Sequence, residues 1–116
     1  MRRGHDVDRI EQLLRRLALN DEKLVGSVLA GGALPRPVNG LDGKAEALVQ
    51  VGALLAVGAS TASLRWTVEL AQSSGATDEE ILGVLVTIGP AIGLARLVSE
   101  APRLAMAMGY EIDDDA

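Results

Sequence analysis

Two stretches of this chain carry no charge at all: residues 47–64 and residues 81–95. Apolar residues in them do not keep to one stripe. In the second, Ile81, Leu82, Val84, Leu85, Val86 and Ile88 spread around most of a helical circumference. A helix that is apolar on every side has to be surrounded on every side. Neither stretch is a good membrane span, which needs about 20 predominantly apolar residues. The first holds Gln50, Ser60, Thr61 and Ser63, and the second is short and interrupted by Pro90. Both therefore read as buried core. In a chain of 116 residues the ratio of surface to volume is high, and two such helices are hard to enclose with the chain's own residues. The expectation is an oligomer, because soluble monomers rarely leave large apolar patches in water. The alternative is that the N-terminal helices cover this surface within one chain.

The remaining sequence is helical in pattern throughout, with no period-two alternation. Val7, Ile10, Leu13, Leu14 and Leu17 form the apolar stripe of an amphipathic first helix of about four turns. Asn20 is expected to cap a second helix carrying Leu24, Val25, Val28 and Leu29, stopped by Gly31 and Gly32. Residues 33–40 contain Pro35 and Pro37 and read as an extended connector. Asp42 is a suitable N-cap for a long helix to about Val57, which Gly58 interrupts. Another helix is expected over 60–74, closed by Gly75. Thr77-Asp78-Glu79-Glu80 is a capping box with three carboxylates in the first turn. Pro90 is expected to kink or break the helix that follows, and Pro102 to restart a last short one ending at Gly109. Asp113 to Asp115 form an acidic tail, expected to lack fixed structure. The prediction is an all-α chain of about six helices in a single domain over 1–116: N-terminal helices and linker at 1–40, a core at 41–109 and the tail at 110–116.

Composition narrows function mainly by exclusion. The net charge is −5 and the isoelectric point near 4.7, which disfavours nucleic acid and anionic membrane partners. There is no cysteine, so thiolate metal sites and thiol redox chemistry are absent. No metal or cofactor is expected. The start of the chain, basic and then amphipathic, lacks the apolar core of a signal peptide, so a cytoplasmic location is the expectation. Only 2% of residues are aromatic, Trp66 and Tyr110, with no Phe. The core must be built from Ala, Leu, Val and Ile, which lets helices approach closely.

On the helix around Trp66, spacing of about 100° per residue puts Arg65, Glu69 and Gln72 on a solvent face. Leu64, Val68 and Ala71 form one apolar stripe, and Trp66 with Leu70 another. Between them lie Ser60, Ser63 and Thr67. These three hydroxyl residues, with Trp66 and Arg96, are the candidate lining of a small-molecule pocket. The plainer reading is that Ser60 is an N-cap and that Ser63 and Thr67 bond back to the helix backbone. A serine nucleophile needs a base, and the one histidine, His5, is far away in sequence. Arg65 and Glu69 are spaced to form a surface ion pair. Arg96, in an otherwise apolar stretch, suits either a bound carboxylate or an acidic partner across an interface.

Three segments carry a resemblance. Leu41-Asp42-Gly43-Lys44-Ala45-Glu46-Ala47-Leu48, the run from Gly75-Ala76-Thr77-Asp78-Glu79-Glu80-Ile81 to Leu85, and Gly89-Pro90-Ala91-Ile92-Gly93-Leu94-Ala95 resemble motifs of the carboxymuconolactone decarboxylase-like family. The similarity spans about Leu41 to Met108. That family includes lactone decarboxylases and peroxidases of the alkyl hydroperoxidase D type, the latter with a Cys-x-x-Cys-x-x-x-His helix and an upstream Glu. The resemblance places those two cysteines at Ser60 and Ser63, the histidine at Thr67 and the glutamate at Ala47. It implies a trimer or hexamer, and a member whose catalytic residues have been replaced. Peroxidase activity through cysteine is excluded. The expected function is a non-catalytic or catalytically diverged oligomer that binds a small apolar or acidic molecule. The alternatives are a decarboxylase or lyase using Arg65, Glu46 or Glu69, and a structural interaction module.

Overall fold

The computed structural model describes residues 2–31 and 40–112. Every regular element among them is an α-helix: α1 (Arg2–Ala18), α2 (Glu22–Leu29), α3 (Gly43–Val57), α4 (Thr61–Ser73), α5 (Asp78–Ile92) and α6 (Leu94–Ala107). The connector over 33–39, Gly32 and the acidic residues 113–115 lie outside the described residues. Backbone packing divides the chain into two compact units, Met1–Gly40 and Leu41–Ala116.

The first unit is the α1–α2 pair. Asn20 does not cap α2, as the sequence suggested. It takes a left-handed conformation, φ 58°, which asparagine tolerates better than most residues. The cap is Asp21, whose Oδ1 accepts from the amides of Lys23 and Leu24 at 3.1 and 3.3 Å. Its other oxygen accepts from Arg16 Nε at 2.8 Å. A carboxylate here meets the positive end of the α2 dipole and the last turn of α1 together. The Arg16 bond, then the amide of Leu24, holds the Asp21 carboxyl below its ordinary value.

The second unit is a four-helix bundle. α3 packs on α4 and α5, and α6 packs on the same two, so α3 and α6 face each other across the diagonal. Three contacts fix the directions. Lys44 Nζ meets Glu80 at 2.9 Å, joining the first turns of α3 and α5. Gly52 lies against Val84 and Ile88, farther along both, so these two helices run parallel. Tyr110 donates to Asp78 at 2.6 Å, joining the end of α6 to the start of α5, so those two run antiparallel. The bundle is thus two αα-hairpins, α3–α4 and α5–α6, laid side by side with like helices adjacent.

The local signals for these helices are those in the sequence. Asp42 accepts from the amide of Ala45 at 2.8 Å, and Gly58 closes α3 in the left-handed region at φ 66°. Thr77 and Glu80 form the complete capping box, each side chain bonded to the other's amide. The core is aliphatic: Val51 and Leu55 from α3, Leu64 and Val68 from α4, Ile81 from α5 and Leu104 from α6. Full burial of such side chains stabilises by about 1.5–3 kcal/mol each.

Neither proline ends a helix. Pro90 lies inside α5 and Pro102 inside α6, which is one continuous helix rather than two pieces. A proline leaves the carbonyl four residues earlier without its helical donor. Those carbonyls belong to Val86 and Val98, both exposed residues, where water can supply the missing donor. The break between α5 and α6 falls instead at Gly93, with φ 86° and ψ 168°, a conformation essentially restricted to glycine.

Candidate functional site

The stripe singled out on α4 is divided between a helix cap and the core. Ser60 is the N-cap of α4, its Oγ accepting from the Ser63 amide at 3.2 Å and donating to Ser63 Oγ at 3.0 Å. Both serines are exposed, contrary to the expectation that they point into a buried face. The reason is their place in the first turn, at the open end of the bundle, where the capping role keeps them beside water. Thr67, two turns on, is buried at 6% exposure, as are Leu64, Val68 and Ala71 beside it. Ala47 is buried within α3 at 1%. Trp66 is 66% exposed and Leu70 37%, so the described residues cover the stripe they make only in part.

The charged candidates are dispersed as well. Arg96 is exposed and makes no ion pair among the described residues. Its guanidinium rests on Gly58, where a Cβ would overlap it. Arg65 and Glu69 are exposed and form no ion pair with each other, so that expected surface bridge is absent. Glu46 is half-buried in the first turn of α3. His5 lies in α1, its side chain outside the described residues. No group of three His, Asp or Glu is arranged to hold a metal ion among the described residues, and no helix there is long and apolar enough to cross a membrane.

Two features were not read from the sequence. One is an ion pair inside α6. Arg103 Nη1 donates to both Glu100 oxygens, at 2.6 and 2.8 Å, and its Nη2 donates to the Ala59 carbonyl. Glu100 is 3% exposed. The group thereby pins α6 to the corner between α3 and α4 and satisfies a backbone carbonyl there. An i, i+3 Glu–Arg spacing was the available signal, but the same spacing is common on solvated helix faces.

The other is a groove of about 690 Å³ between the parallel helices α3 and α5. Gly52 and Gly83 thin its walls, and Val49, Ala53, Val84 and Thr87 line it. Glu80 is its one charged lining residue, at one end. That carboxylate accepts from the Thr77 amide and from Lys44 Nζ, both at 2.9 Å, and these two bonds, in that order, hold its carboxyl below the ordinary glutamate value. The groove is therefore apolar and electrically neutral. It supplies shape and apolar surface, with one hydroxyl, Thr87, and no acid or base free for proton transfer. None of Ser60, Ser63, Trp66, Thr67 and Arg96 lines it. No protein-family model, curated protein or solved structure matches the chain.

Proposed function

We propose that this chain is a self-associating helical domain, a member of the carboxymuconolactone decarboxylase-like family without that family's chemistry. The observation that carries the reading is the state of the four family-equivalent positions. Ala47 and Thr67 are buried among aliphatic side chains, and Ser60 and Ser63 are engaged with each other in a helix cap. General acid–base or nucleophilic work needs a titratable partner within hydrogen-bond reach of the reacting group, and this stripe offers none. What remains is assembly. Val49, Val57, Leu82, Val86, Leu94 and Val98 are each more than half exposed, an amount of apolar surface that calls for a partner. A trimer or hexamer is the state the resemblance implies, with a small apolar ligand as a further role for the same apolar surface. Light scattering coupled to size exclusion tests the reading. The expected result is a mass three or six times that of the 12.1 kDa chain at micromolar concentration, and a monomer would refute it.

A further inference from the structure

We infer that the outer face of the α3–α5 pair is where two copies of this chain meet, packed face to face about a twofold axis. This inference rests on the self-association reading and, of the two states named there, requires the hexamer, since a threefold ring alone contains no twofold axis.

Charge is the first argument. Each copy carries a net charge of −5, so copies repel one another over most of their surfaces. From Ala47 to Val57 on α3 and from Ile81 to Ile92 on α5 there is no charged residue. The one carboxylate bordering the groove, Glu80, is already paired with Lys44. This is a face that two identical acidic molecules can share without bringing like charges together. An isologous contact needs that self-compatibility, because each residue on one copy meets the same patch on the other.

Glycine is the second argument. Gly83 lies within α5, where alanine is the more favourable residue. A Cβ built on Gly83 meets nothing within 4 Å, so nothing among the described residues requires the glycine. Gly52 differs, since a Cβ there would press on Val84 at 3.2 Å. A bare backbone at Gly83, with exposed Thr87 one turn on and lining the same groove, fits close approach by a body outside the chain.

Area is the third. Each helix has 15 residues, or about 22 Å of length, and two packed helices are about 20 Å across. The face is on the order of 450 Å² in projection, and two copies cover roughly twice that before corrugation is counted. A specific interface needs about 1,000 Å² in total; the flat projection falls just short of that, and the corrugation of the helix surfaces has to add the remainder.

The test uses the full chain in Ala53→Arg, Thr87→Arg and Gly83→Leu forms, with Gln72→Arg at an exposed polar position on α4 as the control. Circular dichroism melts first establish that each variant folds. Light scattering over a dilution series then reads assembly. Expected is a loss of association of at least about 100-fold for the two arginine variants, about tenfold for Gly83→Leu, and no change for Gln72→Arg. Since the chain lacks cysteine, Ala53→Cys adds a direct probe. Its thiol is protected from a maleimide in the assembled protein and reacts on dilution. An assembled wild type that tolerates both arginines overturns this face and leaves self-association standing. A monomeric wild type overturns both. A monomeric Ala53→Cys variant whose thiol stays protected at every dilution shows the face covered from within the chain, and also overturns the inference.

Discussion

Arg103 makes three bonds from one guanidinium, and its value depends on what is left when one partner goes. Glu100 has a side chain only 4% exposed, against 28% for Arg103. Removing one member of a buried ion pair typically costs about 3–5 kcal/mol, because the other charge is stranded. Arg103→Met should therefore destabilise by roughly 3 kcal/mol, at the lower end because Arg103 is partly solvated. It also deprives the Ala59 carbonyl of its donor. Glu100→Leu combined with Arg103→Met should cost less than the sum of the two single changes, since no uncompensated charge remains. Chemical denaturation of the four proteins of this cycle gives the coupling directly. The pair was hidden in the sequence for a physical reason. A helical wheel reports which residues share a face, and Glu100 shares its face with Arg96 and Arg103, which reads as a solvated charged stripe.

At the scale of helices, the sequence was most legible where a backbone group had to be satisfied locally. The caps at Asp42, Ser60 and Thr77, and the glycines at 58 and 75, could be read because each acts within four residues of itself. Asn20 failed by one position because Asp21 beside it caps equally well and also reaches Arg16. The prolines misled because their effect depends on whether the freed carbonyl faces water, which is a property of the packed bundle. Trp66 misled similarly: periodicity found its stripe, but a stripe does not say whether another helix lies against it. Two alanine substitutions in α5 and its terminus separate local from external constraint. Gly93→Ala must adopt φ 86° and should destabilise by about 1–3 kcal/mol. Gly83→Ala has ordinary helical geometry and free space around the added methyl. In the unassembled chain it should stabilise by about 0.5–1 kcal/mol. Denaturant midpoints of the two variants, taken at a concentration where the wild type is dissociated, check both signs.

Across the bundle as a whole, three hydrogen-bonded contacts gather at one end: Lys44 with Glu80, Thr77 with Glu80, and Tyr110 with Asp78. They join the starts of α3 and α5 to the end of α6, and they titrate in opposite senses. The Thr77 amide first, then Lys44, lowers the Glu80 carboxyl from the ordinary 4.5. A depressed carboxyl adds stability that is complete above its unfolded value and is lost as pH falls through the folded one. Tyr110 moves the other way, raised from 10.0 by its bond to the Asp78 carboxylate. Lys44 is raised from 10.5 by Glu80. Their contributions are complete below those values and disappear as pH rises through the higher folded ones. The expected profile is a plateau between about pH 5 and 9 with an acid limb shared by Glu80 and Asp21 and an alkaline limb shared by Tyr110 and Lys44. Glu80→Gln should reduce the acid limb to the share of Asp21 while leaving the alkaline one, apart from the share of Lys44 that depends on Glu80. Tyr110→Phe should reduce the alkaline limb to the share of Lys44 and leave the acid limb unchanged, and the wild-type tyrosine absorbance should titrate above pH 10. The groups are exposed, so added salt should shrink the effects of the Lys44–Glu80 pair and spare the neutral amide bond from Thr77. Thermal melts of the three proteins from pH 3 to 11, at low and high ionic strength, separate the two. Limbs that persist unchanged in both variants would place the pH sensitivity elsewhere in the chain.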